Sequence, residues 1–140
     1  MSVERLMAVV REWMEGVWQE GDETAVDRLH ASDFVDHNPA GRAPDREGFK
    51  EGVAELYRAF PDFFAETEDL IADPLTGKVA LRWAATGTHQ GIFIGVPPTG
   101  KRIAFRGIEI LRIENDRIVE RWGEWDSFNI MEQLGLTPTR

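Results

Sequence analysis

Residues Thr86–Arg102 read TGTHQGIFIGVPPTGKR and lie between two segments that alternate as long strands do. Four glycines in this stretch open backbone conformations that other residues avoid. Pro97 and Pro98 fix φ and remove hydrogen-bond donors from the sheet. The stretch therefore predicts a shaped crossover between sheet strands, of the kind that commonly forms the mouth of a curved sheet.

The composition limits the class of protein. At 140 residues the chain is expected to form one domain, residues 1–140, and it contains no cysteine for disulfides or thiolate chemistry. A net charge of −9 argues against nucleic acid or an anionic membrane as a partner. No apolar run approaches the roughly 18–20 residues needed to cross a bilayer, and no secretory signal is recognisable. A cytoplasmic protein is expected.

The first half of the chain has helical periodicity. Apolar residues recur every three or four positions from Ser2 to Glu20, and a short helix is expected over Glu23–Leu29. Asp45 is a good N-cap for a third helix that ends at Pro61. Between them, Asp33–His37 is expected to form a brief strand.

From residue 63 the period changes to two, as in β-strands. The predicted strands are followed by a short helix over Phe128–Leu134, and they are Phe63–Ile71, Lys78–His89, Lys101–Glu114 and Arg117–Trp125. Three helices followed by a meander predict an α+β fold, a curved antiparallel sheet packed against three N-terminal helices. Both sheet faces look apolar, so a homodimer through the outer sheet face is expected.

Hairpin counting identifies residues that share one face. Asn115-Asp116 predicts a two-residue turn that pairs Ile113 with Ile118. Continuing this register pairs Glu109 with Trp122 and Gly107 with Glu124, with Phe105 and Leu111 on the same side. A one-residue bulge would instead bring Gly123 or Trp125 to that side.

Glu109 is a candidate general acid or base, because burial between Gly107 and Leu111 would raise its pKa. The alternatives are an ion pair with a buried arginine such as Arg82 or Arg106, or contact with solvent at a dimer seam. A second carboxylate near Glu109 in an apolar pocket would repel it and keep one of the two protonated.

The three histidines give weaker signals. His30 is expected at the surface, whereas His37 ends a strand and could face a pocket mouth. His89 lies on an apolar strand face, where a core role is more common than ligand binding. No histidine and carboxylate spacing indicates a metal site, so no metal is expected.

Five tryptophans and eight phenylalanines are many for this length, and together they favour an apolar pocket for a flat ligand. The alternative for each ring is ordinary core packing. The residues expected to contact a ligand are Trp13, Met14, Trp83, His89, Phe93, Phe105 and Trp122.

Several motifs resemble the SnoaL-like polyketide cyclases, also described as predicted ester cyclases. The similarity covers nearly the whole chain in order, and its motifs are DHNP at 36–39, FPD at 60–62, His89-x-Gly91, Gly95-x-Pro97-Pro98-Thr99, GIEILRI at 107–113, RIVE at 117–120 with Trp122, and QLG at 133–135. The resemblance implies the cone-shaped α+β barrel of ketosteroid isomerase and nuclear transport factor two, with a cystatin-like fold. The pocket would lie between the helices and the concave sheet.

The resemblance also implies chemistry. Members of the family close a polyketide ring by intramolecular aldol condensation without cofactor or metal, using an Asp on the last strand and a His on the preceding strand. The His position matches Glu109, and the Asp position matches Gly123, or Glu124 if one bulge is allowed.

We therefore expect acid/base chemistry of a cyclase, isomerase or lyase type on a small-molecule ligand, without a cofactor. Glu124 or Asp126 would be the base, Glu109 a protonated donor, and His37 or His89 an orienting group. The alternative is a non-catalytic small-molecule-binding or dimeric interaction protein with the same fold.

Overall fold

The computed structural model describes residues 1–136, which form four helices and five strands. In chain order these are α1 (Val3–Trp18), α2 (Glu23–Leu29), β1 (His30–Asp36), α3 (Arg46–Ala59), β2 (Phe64–Asp73), β3 (Lys78–Thr88), β4 (Arg102–Glu114), β5 (Arg117–Trp125) and α4 (Ser127–Gln133). The strands form one curved, unclosed sheet in the order β1-β5-β4-β3-β2. Strands β2 to β5 form the predicted antiparallel meander, and β1 joins β5 in parallel.

The helices begin where the sequence places capping residues. The Ser2 side chain accepts a hydrogen bond from the Arg5 N–H, and Asp45 accepts one from the Gly48 N–H. Each cap satisfies a backbone donor that the first helical turn leaves free. No helix within residues 1–136 combines the length and the apolar character needed to span a membrane.

The sheet has two distinct faces, which β4 shows most clearly. Its odd-numbered residues from Ile103 to Ile113 are buried and define the inner face, which the helices cover. Its even-numbered residues point away and define the outer face, where Ile108 and Ile110 are 55% and 39% exposed. The buried charged side chains Glu109 and Arg121 lie between the inner face and the helices.

The hairpin between β4 and β5 confirms the predicted turn and corrects the predicted register. Asn115 and Asp116 both have positive φ, as a two-residue turn of this kind requires, and Ile113 pairs with Ile118. A bulge then shifts β5 by one residue, so that Glu109 pairs with Gly123 instead of Trp122. The prediction that Trp122 and Glu124 share the face of Glu109 was therefore wrong.

The connection between β3 and β4 holds the sheet against the end of α3. The backbone N–H groups of Gln90 and Gly91 both donate to the carbonyl oxygen of Ala59. A Cβ atom on Gly91 would lie 2.3 Å from the Arg58 carbonyl oxygen, so this approach requires glycine. The predicted shaped connection is confirmed, and it packs beside the helical layer.

Candidate functional site

A buried group of three charged side chains lies on the inner face, and we call it the buried triad: Asp36, Glu109 and Arg121. Arg121 Nε donates to Glu109 Oε1 at 2.9 Å, and its Nη2 donates to Oε2 at 3.2 Å. Arg121 Nη1 contacts both Asp36 oxygens, at 2.9 and 3.2 Å. The guanidinium therefore joins the carboxylates of β1 and β4 from its position on β5.

Gly123 makes room for the triad. A Cβ atom at this position would lie 2.3 Å from Arg121 Nη2 and 2.4 Å from Glu109 Oε2. The Gly123 N–H donates to Asn38 Oδ1 at 2.8 Å, and the Asn38 N–H donates to Asp36 Oδ1 at 3.0 Å. The segment after β1 thus fixes both Asp36 and the strand that carries Arg121.

The triad holds one more acidic group than basic groups, and it lies out of water. Glu109 is 1% exposed, and its burial raises the pKa of its carboxyl group to about 7, against the opposing attraction of Arg121. Asp36 reinforces the upward shift of the Glu109 pKa through like-charge repulsion. Glu109 is therefore able to take up and release a proton near neutral pH.

Glu109 also lines a narrow apolar cavity. Its other lining residues come from α1, the start of β2, β3 and the end of β5, and they are Met14, Trp18, Phe63, Ala65, Trp83 and Trp125. The free space has room for about one water molecule. Glu109 is the one ionisable side chain in this lining, so any acid/base chemistry in the cavity would depend on it.

Two of the residues predicted to contact a ligand, Met14 and Trp83, line this cavity. Phe105 lies behind it, with its ring against Trp83 at 5.8 Å between centroids. Phe93 packs against Phe60, away from the lining. The cavity thus brings together only part of the predicted set.

Trp13 and Trp122 lie elsewhere. Trp13 is buried between helices, where its Nε1–H donates to His30 Nε2 at 2.9 Å. Trp122 faces outward, stacks on His37 at 4.6 Å, and has Lys78 Nζ over its ring. The bulge in β5 is the physical reason, because it turns Trp122 to the outer face.

The other predicted catalytic residues do not meet Glu109 in the cavity. Glu124 pairs with Ile108 and is exposed on the outer face, where the Asn38 amide contacts it at 3.4 Å. Asp126 caps α4 by accepting the Asn129 N–H. His37 Nε2 bonds to Glu120 at 2.7 Å on the outer face. The expected convergence of Glu109 and Glu124 is therefore not found.

Two histidines are buried. His30 is fully buried between Phe34 and Phe49, so its expected surface position was wrong. Its burial and the positive charge of Arg121 lower the pKa of its imidazole to about 3. His89, expected among the ligand contacts, is also buried and does not line the cavity. Its Nδ1 accepts the Thr99 N–H, and its ring packs on Phe60, which agrees with the alternative core role.

Arg121 and Asp36 were not predicted as site residues, and Trp125 was expected on the face of Glu109 only if β5 carried a bulge. The same bulge turns Arg121 inward, so allowing for it would have placed Arg121 and Trp125 on the face of Glu109. Asp36 reaches the triad because β1 pairs in parallel with β5, a long-range contact that the local pattern does not reveal. Across residues 1–136, no three His, Asp or Glu side chains are grouped as a metal site.

Helices that cover one face of a curved, unclosed sheet, with a cavity between the layers, place this domain in the ketosteroid isomerase and nuclear transport factor two class of α+β folds. A family model identifies the group more closely. The model of the SnoaL-like polyketide cyclases matches residues 8–134, and the chain belongs to this family.

Individual relatives agree with this assignment. The chain is 31% identical over 101 residues to the aklanonic acid methyl ester cyclase DnrD of Streptomyces peucetius, covering 72% of this chain and 68% of DnrD. The structure of IdmH from Streptomyces antibioticus matches with a TM-score of 0.80 and 32% identity, covering 93% of this chain and 98% of IdmH. A pathogen-related protein of Hordeum vulgare is 30% identical over 79 residues, which cover 56% of this chain and about a third (34%) of that protein.

Proposed function

We propose that this chain binds a small, flat, oxygenated apolar ligand in the aromatic cavity, and that Glu109 transfers a proton next to a ligand carbonyl. The observation that carries the proposal is the position of Glu109. It is the one ionisable group lining the cavity, and its pKa is raised to about 7. A group with such a pKa serves well as both base and acid at neutral pH.

The proposed reaction needs no second carboxylate. The Glu109 carboxylate removes a proton from the carbon next to the carbonyl, and the electron pair of that C–H bond becomes an enolate. In ring closure, the enolate carbon attacks a second carbonyl of the same ligand, and a carbon–carbon bond forms. Glu109 then returns its proton to the resulting alkoxide, so no net proton is gained or lost.

Ligand binding requires the cavity to widen, since its present space suits about one water molecule. Met14 and Trp18 line the cavity from α1, and neither belongs to the triad. A small displacement of these two side chains would enlarge the space while Trp125 stays packed against Trp83 and Phe105. We infer that Met14 and Trp18 move when a ligand enters.

The reaction can be tested without knowing the natural substrate. 1-Tetralone is a flat ketone whose α-protons exchange with D₂O when an enolate forms, and ¹H NMR follows this exchange directly. We expect the protein to accelerate the exchange, and Glu109→Gln to slow the accelerated rate by at least about 100-fold. The rate should rise with pH around 7, because Glu109 acts as a base only when it is deprotonated.

Glu124→Gln is the matched control, because Glu124 loses the same charge but lies on the outer face. This variant should keep an exchange rate close to that of the wild type, because the charge of Glu124 is the smallest of the influences that raise the Glu109 pKa. Full exchange activity in Glu109→Gln would contradict the proposed role of Glu109. Loss of activity in Glu124→Gln would instead restore the pair of carboxylates expected from the hairpin register.

A non-catalytic ligand carrier is the second candidate function, and the ion pair supports it. Arg121 engages both oxygens of Glu109, and no other carboxylate among residues 1–136 lines the cavity. An ion pair of this kind would fix the pocket wall rather than move a proton. Saturable binding of 1-tetralone with no acceleration of exchange would favour this function.

We also propose that the protein forms a homodimer through the outer face. Ile108 and Ile110 are exposed at its centre, and charges of both signs surround them, including Arg106 and Glu124. Burying two such faces against each other would remove apolar surface from water and allow opposite charges to pair.

A further inference from the structure

One polar group of the cavity wall lacks a partner. Trp125 lines the cavity together with Glu109, and its indole Nε1 is shielded from solvent. Among the described residues, this nitrogen has no hydrogen-bond partner. Buried indole N–H groups are usually hydrogen-bonded, because losing water without gaining a partner is unfavourable.

The packing around Trp125 holds its ring in place. Trp83 packs edge-on at 5.1 Å between ring centroids, Phe105 lies at 5.6 Å, and Trp18 lies at 6.3 Å. These rings offer only weak π acceptors to an N–H group. The indole is therefore positioned by apolar contacts, while its polar atom stays free for an incoming oxygen.

Two other buried nitrogens without partners in residues 1–136 differ from Trp125 in place. His30 Nδ1 lies among Phe34 and Phe49, and His89 Nε2 belongs to a ring packed on Phe60. Neither histidine lines the cavity. Trp125 alone combines an unsatisfied donor with a place beside Glu109 in the part of the chain that the structure describes.

We propose that the Trp125 Nε1–H donates a hydrogen bond to the carbonyl oxygen of the ligand, and so acts as a binding and catalytic residue. This inference rests on the proposed function and names the group that receives the ligand oxygen. When Glu109 removes the α-proton, negative charge develops on that oxygen. A positioned N–H donor in an apolar site stabilises such charge more than it stabilises the neutral carbonyl.

The buried triad does not supply a hydrogen-bond donor for the ligand oxygen. Arg121 is the nearby cation, but its Nε and Nη2 bond to Glu109 and its Nη1 bonds to Asp36. Arg121 also does not belong to the cavity lining. Its charge is directed at the two carboxylates, so a neutral donor on another residue is required at the ligand oxygen.

The test compares 1-tetralone with tetralin, which has the same ring system without the oxygen. We expect Trp125→Phe to weaken binding of 1-tetralone by about 3- to 10-fold and to change binding of tetralin less than twofold. Trp122→Phe is the matched control, because this tryptophan lies on the outer face. It should leave the affinities for both compounds unchanged.

A second measurement uses the wild-type protein, so it does not depend on the folding of a variant. In ¹H–¹⁵N NMR spectra, 1-tetralone should shift the assigned Trp125 indole proton downfield, and tetralin should not. Equal shifts with both compounds, or equal losses of affinity in Trp125→Phe, would overturn the inference while leaving the proposed role of Glu109 standing. If neither compound bound the wild-type protein, the proposed pocket and this inference would both be contradicted.

Discussion

Arg121 determines how Glu109 can behave. Its guanidinium is shared with Asp36, so Glu109 receives only part of the positive charge that an isolated pair would supply. Desolvation of Glu109 then outweighs this attraction and raises its pKa to about 7. A buried ion pair is weak evidence for stability, and the raised pKa that burial gives Glu109 makes its carboxyl group a candidate for proton transfer.

His30 should make stability depend on pH below neutrality. Its pKa is about 3 in the folded protein against 6.5 in the unfolded chain, so the unfolded chain binds more protons between these values. The free energy of unfolding should therefore fall as pH falls from 6.5 toward 3. His30→Gln removes this proton uptake and keeps an oxygen that can accept from Trp13.

Denaturant titrations at pH 6.5 and 4.5 measure the effect. The wild type should lose about 2–3 kcal/mol more than His30→Gln over this interval, since one pKa unit corresponds to about 1.4 kcal/mol. An identical loss in both proteins would show that His30 keeps an ordinary pKa. Each protein is compared with itself at the two pH values, so a stability difference between wild type and variant that does not change with pH does not affect the result.

At the scale of elements, the hairpin of β4 and β5 shows what sequence patterns can and cannot determine. The turn residues and the pairing of Ile113 with Ile118 follow from local chemistry and were predicted correctly. Beyond the bulge, Trp122 and Trp125 lie on opposite faces of β5. The inner face would therefore receive a tryptophan with or without the bulge, and the sequence pattern does not distinguish the two registers. Pairing of Arg121 with Asp36 favours the observed register, and that contact is distant in sequence.

The fold follows largely from local sequence features, whereas the site depends on contacts between residues that are distant in sequence. The amphipathic stripe of α1 and the Asp45 cap are local features, and both are confirmed. The identification of Glu109 as a buried carboxyl also follows from alternation in one strand. Its partner could not be predicted, because only the bulge in β5 turns Arg121 toward Glu109, and only the parallel pairing of β1 brings Asp36 to the same guanidinium.

Gly123→Ala tests the packing of this hairpin. The added Cβ would lie within 2.4 Å of Glu109 and closer still to Arg121, so the ion pair must shift. We expect a loss of about 1–3 kcal/mol in the free energy of unfolding, as for other overpacked sites. Gly52→Ala is the control; the atoms nearest to its Cβ belong to the flexible Arg42 side chain, and alanine favours a helix. Equal stability of Gly123→Ala and the wild type would contradict the close fit.

For the molecule as a whole, the outer face is the clearest reason to expect a dimer, because a monomer would leave Ile108 and Ile110 in contact with water. Ile110→Glu would place a charge at the centre of this face, so light scattering after size exclusion should change from dimer to monomer. Leu75→Glu is the matched control, because Leu75 is 95% exposed in the turn between β2 and β3. It should remain dimeric. A wild-type monomer would contradict the proposed dimer and leave the cavity chemistry unaffected.

The central claim is that this family member carries one acid/base group, Glu109, in its aromatic cavity. The most direct measurement is the pH titration of the Glu109 side-chain carboxyl carbon by ¹³C NMR, assigned with Glu109→Gln. We expect the Glu109 carboxyl group to titrate with a pKa of about 7, well above the ordinary value of 4.5. A pKa at or below 4.5 would contradict it, because Glu109 would then be a permanently charged partner of Arg121.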